Sequence, residues 1–463
     1  MDISRRIGHL GLALLLGYLL LALGLAYWQA VRAGALVVDQ RVSAERTQVR
    51  AQRVTRGRIL DRNGEVLAET LTAADGTRSR VYTSPGAVHA VGFRSIRFGA
   101  AGAEAAGDDV LSGRAGGGPE TTLRELLHLP VYGGDVRLTL DGGLQAAAEA
   151  AMAGAPGAAV ALNPRTGELL ALVSNPGFDG ASVEEQWEQL RARPDSPLLN
   201  RVTQGLYTPG STFKTVTLAA ALEAGLLTAD TAAECPARIE VIGHPVVSNN
   251  EPPGKRTRTV ADAFAYSCNT FFAQLGVALG PERLTAMVEA LGLLEAAPFE
   301  LPTVEGRLQR TADFLEDDRG LAVTAFGQGE LLLTPLQLAL IAAAVANDGL
   351  VPTPRLIADD VPAVSRRAMS SRTAQTLAAI MEYSVQEGWA QTAAIPGVRI
   401  AGKTGSAELG EGESSHAVFI AFAPVEDPQV AVAVLKERAG AGSREAGPVA
   451  RAIIAAALGL APD

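Results

Sequence analysis

Ser211 and Lys214 stand three residues apart in Ser211-Thr212-Phe213-Lys214, directly after Pro209-Gly210. On a helix, positions i and i+3 share a face, so a hydroxyl and an amine can meet there. The free N–H groups at a helix N-terminus favour developing negative charge. A serine hydroxyl is a weak nucleophile until a base takes its proton. A lysine amine is such a base once burial or a nearby cation lowers its pKa; a guanidinium cannot serve. The plainer reading is a capping serine beside a solvated lysine.

Lysine usage sharpens the point. Of 40 basic side chains only four are Lys, at 214, 255, 403 and 436. A chain that otherwise relies on Arg has placed Lys at two candidate motifs, where an amine matters. The second is Lys403-Thr404-Gly405-Ser406. Gly397 to Thr404 also matches the P-loop pattern formally, but a P-loop needs a strand before the first Gly and a helix at the Lys. Here Pro396 precedes, Val-Arg-Ile-Ala fills the loop, and a polar Gly-rich stretch follows. The expectation is that Lys403 and Thr404 line a cleft from an edge strand and bind an anionic group. A third motif is Ser267-Cys268-Asn269, whose Ser and Asn can project together from an extended turn while Cys268 faces the core. Its rival, Ser248-Asn249-Asn250, precedes Pro252-Pro253-Gly254 and reads as a loop tip. Ser267 is preferred because it lies between two helical runs.

Composition removes other classes. A net charge of −10 and a pI near 5.2 argue against nucleic acid as partner. Two cysteines make neither a disulfide scaffold nor a Cys-rich zinc module. Cys235 and Cys268 are either a pair or two buried thiols. The five histidines are scattered, with no HExxH pattern, so no metal site is expected.

The elements that must position these residues begin at the N-terminus. Arg5 and Arg6 precede an uncharged run from Leu10 to Trp28 that ends in Tyr27-Trp28. At 1.5 Å per residue the run spans about 28 Å, enough to cross a bilayer. A cleaved signal peptide is the alternative, with a shorter apolar core. The expectation is a cytoplasmic tail at 1–9, an anchor at 10–28, and the rest outside. Residues 29–55 read as a polar, helical stalk. Apolar stretches around Asn63-Gly64 predict a hairpin. Composition alone makes much of 99–120 a linker. A boundary near 135 closes a stalk and pedestal at 29–135, ahead of a second domain at 136–463. There Val136–Leu140 is strand-like and Asp141 caps a helix at 142–153. Strands are expected at 157–163, 168–174, 398–401, 417–423 and 430–435. Helices are expected at 211–225, 259–279, 281–291, 334–347 and 370–386. The chain's two ends then close one sheet around a helical insertion.

The order S-x-x-K, S-x-N, K-T-G resembles the penicillin-recognising serine acyltransferases, the penicillin-binding proteins and serine β-lactamases. The flanks sharpen it: Asn200-Arg201, Gln204 and Tyr207-Thr208-Pro209-Gly210; Asn163-Pro164-Arg165-Thr166-Gly167; Gly327-Gln328-Gly329; Thr334-Pro335-Leu336-Gln337. Arg56, Gly57, Asp61, Arg62 and Gly64 resemble the first pedestal motif of class B penicillin-binding proteins. Gly99 to Glu104 resembles a later one, which makes the apparent linker part of the pedestal. Ser406 stands where many class B enzymes carry Thr. No glycosyltransferase-like region precedes the pedestal, so the resemblance implies a monofunctional D,D-transpeptidase.

The fold implied is α+β, a penicillin-binding/serine β-lactamase-like domain. An antiparallel sheet packs with helices and a helical subdomain, behind a transmembrane helix and a small α+β pedestal. By resemblance Ser211 is the nucleophile, Lys214 its base, and Ser267 a proton relay. Ser406 and Ser211 supply oxyanion N–H groups, and Asn269, Lys403, Thr404 and Gly405 bind substrate. The partners implied are donor and acceptor peptidoglycan stem peptides, β-lactams as covalent inhibitors, and a SEDS-family glycosyltransferase. No cofactor or metal is implied. The location implied is the bacterial cytoplasmic membrane, single-pass, with the N-terminus inside. A membrane-anchored class D-like β-lactamase and a non-catalytic β-lactam-binding scaffold are the alternatives.

Overall fold

The computed structural model describes residues 3–28, 54–115, 127, 129, 131–240, 247–249, 259–358, 363–410 and 412–460. Most of the expected stalk and residues 116–120 of the apparent linker lie outside them.

Five strands form the central sheet: β1 (Gly157–Leu162), β2 (Leu169–Asn175), β3 (Ala401–Ala407), β4 (His416–Ala423) and β5 (Val430–Lys436). Their order is β2-β1-β5-β4-β3, antiparallel throughout. The chain's two ends do close one sheet. The main helices of this C-terminal unit are α1 (Gly142–Met152), α2 (Val183–Ala192), α3 (Lys214–Glu223), α4 (Val260–Ala265) and α5 (Asn269–Leu279). They continue with α6 (Pro281–Ala290), α7 (Asp318–Ala325), α8 (Pro335–Ala346), α9 (Ser371–Gln386) and α10 (Gly447–Ala457).

The strands are apolar without alternation because both faces are covered. Val160, Leu162, Ile420 and Leu435 share one core with α8, which is buried almost all round. Ala159, Phe419, Val432 and Val434 share a second core with α1 and α10. Two short polar devices fix these helices. Thr334 and Gln337 form a capping box before Pro335, and Asp141 accepts the Leu144 N–H at 3.0 Å.

Two expectations need correction. The run at 259–279 is not one helix: it breaks at 266–268 into α4 and α5. The C-terminal strand starts at Ala401 rather than 398, so the K-T-G-S residues lie inside β3 instead of after it. Backbone pairing decides this, with Lys403 opposite Ile420 and Ser406 opposite Ala417.

The N-terminal unit is built on strands Arg78–Tyr82, Val66–Thr72, Ile59–Leu60 and Val136–Arg137, in that order, so the strand expected to open the second domain at 136 instead pairs with Ile59–Leu60 of the first. The Asn63-Gly64 turn forms as expected, with Gly64 at φ +93°. The Asp61 carboxylate accepts the N–H groups of Asn63 and Glu65 at 2.8 Å and of Gly142 at 3.0 Å. The last bond ties the turn to the start of α1. Burial alone would raise the Asp61 pKa; the three N–H donors outweigh it and hold the group below its usual value. Arg62 adds an ion pair to Glu168. Gly57 has no room for a side chain, since a Cβ would lie 1.9 Å from the Gly134 carbonyl oxygen.

The apparent linker is structured as far as residue 115. Gly99–Ala101 pairs with Phe93–Ser95, and Gly102–Ala106 is helical. Glu104, fully buried, bridges Arg56 at 2.5 Å and Arg80 at 2.6 Å. Trp187 of α2 stacks on Phe98 at 4.5 Å, seating this unit on the C-terminal one.

Removing a carboxylate that serves two buried guanidinium groups leaves charge uncompensated. Glu104→Ala is expected to destabilise the N-terminal unit by about 3–5 kcal/mol. Denaturant unfolding of the full chain in detergent checks this, and a loss under 1 kcal/mol would contradict the role assigned to Glu104.

Candidate active site

Gly210–Phe213 is a single 3₁₀ turn, and the α-helix proper begins at Lys214. The Lys214 N–H still bonds the Ser211 carbonyl across this junction, and the i, i+3 spacing sets the two residues on one face. Thr212 Oγ1 donates to the Pro209 carbonyl at 2.7 Å and pins the turn. Gly210 adopts φ +56°, and a Cβ there would meet Ser406 backbone atoms at 2.8–3.0 Å. The carbonyl of Gly210 is in turn packed by Gly327, where a Cβ would come within 1.8 Å. Gly405 faces the same turn: its Cβ would lie 2.8 Å from the Pro209 carbonyl oxygen. Small residues thus press β3 against the segment that carries Ser211. Ser406 is held from both sides, its carbonyl accepting from Gln328 Nε2 at 3.3 Å and its Oγ from the Gly442 N–H at 3.2 Å.

Ser267 sits at the break between α4 and α5, with φ +58° rather than in an extended turn. Its N–H donates to the Phe264 carbonyl at 3.0 Å, and that of Cys268 to the Ala263 carbonyl at 2.8 Å. This pair of bonds is a Schellman helix ending, with Ser267 where glycine is usual. Cys268 then caps α5, its Sγ accepting the Phe271 N–H, and Asn269 is the first helical residue. The motif therefore occupies a helix-to-helix joint, and Cys268 is buried as expected. Cys235 and Cys268 form a disulfide, which resolves the choice left by the sequence.

The joint receives Lys214. Its Nζ donates to Asn269 Oδ1 at 2.7 Å and to the Ser267 carbonyl at 2.8 Å, with Ser267 Oγ at 3.1 Å. The amine lies 5.4 Å from the Phe272 ring centroid. Burial and then the charge of Lys403 push its pKa well below the ordinary lysine value. Ser211 Oγ makes no hydrogen bond to Lys214, so the two are aligned without being joined.

Lys403 is fully buried rather than lining the cleft, as the sequence predicted. Its Nζ donates to the Thr404 carbonyl at 3.2 Å and lies 5.3 Å from the Phe264 ring centroid. Burial pushes its pKa down to about 7. Ser211, Ser267, Asn269, Thr404 and Ser406 line one cavity of about 850 Å³, with Trp389 among the residues around it. The structure thus gathers the S-x-x-K, S-x-N and K-T-G-S residues at one place.

Sequence reasoning missed part of this site. Ser248 and Asn249 are no loop tip: they line the cavity and bond to Asn269 of the motif they were ranked against. Their chance to be found lay in the polar Ser-Asn pair itself, which a segment-by-segment reading set aside. Asn250 lies outside the described residues. The phenyl rings of Phe264 and Phe272 also carried no signal, since they read as ordinary core residues.

Comparison with known proteins agrees with this arrangement. Residues 157–455 match the penicillin binding protein transpeptidase domain. Residues 56–128 match the penicillin binding protein A dimerisation domain. Peptidoglycan D,D-transpeptidase PbpA of Mycolicibacterium smegmatis is 38% identical, with 85% of this chain and 87% of that protein aligned. PbpA of Mycobacterium tuberculosis H37Rv is 36% identical over 98% of both. The ceftriaxone acyl-enzyme complex of penicillin-binding protein A from M. tuberculosis superposes with a TM-score of 0.81. It is 34% identical and covers 89% of this chain and 100% of its own. The penicillin G acyl-enzyme complex gives 0.78 at 35% identity, over 87% and 99%. With more than half of its length in the transpeptidase match, and with a relative aligned along 98% of both chains, this chain belongs to the penicillin-binding protein transpeptidase family.

Proposed function

We propose that Ser211 is the nucleophile through which this serine D,D-transpeptidase forms its acyl-enzyme, with peptidoglycan stem peptides and with β-lactams alike. The observation that carries the reading is the buried Lys214 amine, bonded to Ser267 and Asn269, which line one cavity with Ser211; burial and then the charge of Lys403 make it easier to deprotonate. A neutral amine has the lone pair that a base needs.

Lys214 takes the proton of Ser211 as Oγ attacks the penultimate D-Ala carbonyl. The N–H groups of Ser211 and Ser406 receive the oxyanion, each worth about 3–4 kcal/mol in comparable sites. Ser267, 3.1 Å from the Lys214 amine, relays the proton to the leaving D-Ala as the C–N bond breaks. Asn269 orients the donor amide. Thr404, with the charge of Lys403 behind it, holds the terminal carboxylate, and Gly405 keeps the strand close to the nucleophile. An amine of a second stem peptide then attacks the ester, releasing Ser211 and leaving the cross-link.

The helix from Arg6 to Ala26, with a mean hydropathy of 2.1, is the membrane anchor of this reading. Arg5 and Arg6 keep residues 1–9 inside, 29–135 form the stalk and pedestal, and 136–463 work outside the bacterial cytoplasmic membrane. Arg56, Gly57, Asp61, Arg62 and Gly64 serve as the pedestal's structural motif. A SEDS-family glycosyltransferase is the partner proposed for the anchor and pedestal.

Three outcomes test the reading. Full chain in detergent is expected to take a persistent covalent label from fluorescent penicillin, and Ser211→Ala none. Label that clears within seconds would mark a β-lactamase, and none from folded wild type would leave only a scaffold. The second-order labelling rate is expected to be bell-shaped in pH. It falls on the acid side as Lys214 charges, and on the alkaline side as Lys403 discharges above about 7. A flat profile between pH 5 and 9 would contradict the lysine roles. Gly210→Ala is expected to displace Ser406 from the oxyanion site and slow labelling on the order of 100-fold, measured by stopped-flow fluorescence.

A further inference from the structure

The side chain of Asn249 is fully engaged. Its Oδ1 accepts the N–H groups of Asn269 at 2.7 Å and Thr270 at 3.3 Å. Its Nδ2 donates to the Pro236 carbonyl at 2.8 Å and to Thr270 Oγ1 at 3.2 Å. Asn269 and Thr270 open α5, and their N–H groups have no partner within the helix. The adjacent Ser248 carbonyl accepts from Asn269 Nδ2 at 3.2 Å. Both the backbone and the amide of Asn269 are thus gripped by residues 248 and 249. The grip decides which way the amide points: with Nδ2 on Ser248, Oδ1 is turned to the Lys214 amine at 2.7 Å. The Cys235–Cys268 disulfide anchors the same two segments beside it.

We propose that Asn249 is a positioning residue for the transpeptidase reaction: it fixes Asn269 so that the carboxamide oxygen stays on Lys214, and so sets how readily that amine takes a proton. The inference rests on Lys214 being the base for Ser211.

The sign of the effect follows from what surrounds the amine. From α5 it meets Asn269 and the ring of Phe272, and from the α4–α5 joint it meets Ser267. From β3 the charge of Lys403 bears on it, and no carboxylate among the described residues does. An oxygen that accepts from Nζ favours the ammonium form. Losing that oxygen therefore lowers the proton affinity of Lys214, while a new negative charge nearby raises it.

Two substitutions separate positioning from mere packing. Asn249→Ala releases Asn269, so the acid limb of the labelling profile moves to lower pH, by about half a unit to one unit. Its plateau also falls, about tenfold. Asn249→Asp still accepts the Asn269 and Thr270 N–H groups but adds a charge, so its acid limb moves to higher pH.

The measurement is the second-order rate of labelling by fluorescent penicillin between pH 5 and 9, on the full chain in detergent, with thermal unfolding alongside. Shifts of opposite sign are expected. Acid limbs that stay at the wild-type position, with rates lowered in proportion to the folded fraction, would overturn the proposal. Should the alanine variant not fold, the aspartate variant alone decides, by an upward shift or none. Wild-type labelling rates in Lys214→Ala would instead overturn the role of Lys214, which keeps the two failures distinct.

Discussion

Two lysine amines are buried behind one serine with no carboxylate beside either among the described residues. That constraint organises the site. A charged group taken from water into such a place costs far more than a neutral one, so the amines shed protons more readily than in water. The charge of Lys403 adds to the cost of charging Lys214. An arginine at either position would stay charged and need a counterion. Elsewhere among the described residues, the arginines in the buried class do have that counterion. Arg56 and Arg80 share Glu104, and Arg201 reaches Glu437. The scarcity of lysine thus has a physical meaning at Lys214, where an amine can give up its proton and a guanidinium cannot.

Holding two such amines in place demands neighbours that neither hydrate nor neutralise them. Phe264 and Phe272 provide apolar faces, while Ser267, Asn269 and the Thr404 carbonyl provide uncharged acceptors. These groups come from α4, α5 and β3, which are far apart in sequence. The sheet brings them together because its first strands and last strands lie side by side, with β1 against β5. The site therefore forms only when the chain's ends have met around the helical insertion. Glycines at 210 and 405 then set how closely β3 approaches the serine turn, and Gly327 packs against the same turn.

Much of this was legible in the sequence. The three motifs, the terminal closure of the sheet, the Asn63-Gly64 hairpin and the cap at Asp141 each rest on local chemistry that a pattern exposes. What escaped was set by tertiary contact. Ser267 could be placed between helical runs, but a serine carries no local mark of the left-handed backbone it adopts there. The strand at 401–407 carries Gly402, Lys403 and Gly405, poor strand formers that adopt extended backbone because β4 pairs with them. The Ser248-Asn249 pair looked like a rival of Ser267-Cys268-Asn269 because motif matches are weighed one at a time. In three dimensions the two are complementary.

That complementarity follows from the geometry of the joint. Ser267 ends one helix and Asn269 starts the next, so the motif brings with it the unpaired N–H groups of a new helix N-terminus. Cys268 is placed to cap α5 with sulfur, a weak acceptor, and it is already committed to a disulfide. A stronger acceptor has to come from elsewhere, and the Asn249 carboxamide oxygen fills that need at 2.7 Å. A carboxylate there would satisfy the same donors but bring a charge towards Lys214. The neutral amide satisfies the helix without adding a charge near the base, which is the condition the two buried lysines impose on everything around them.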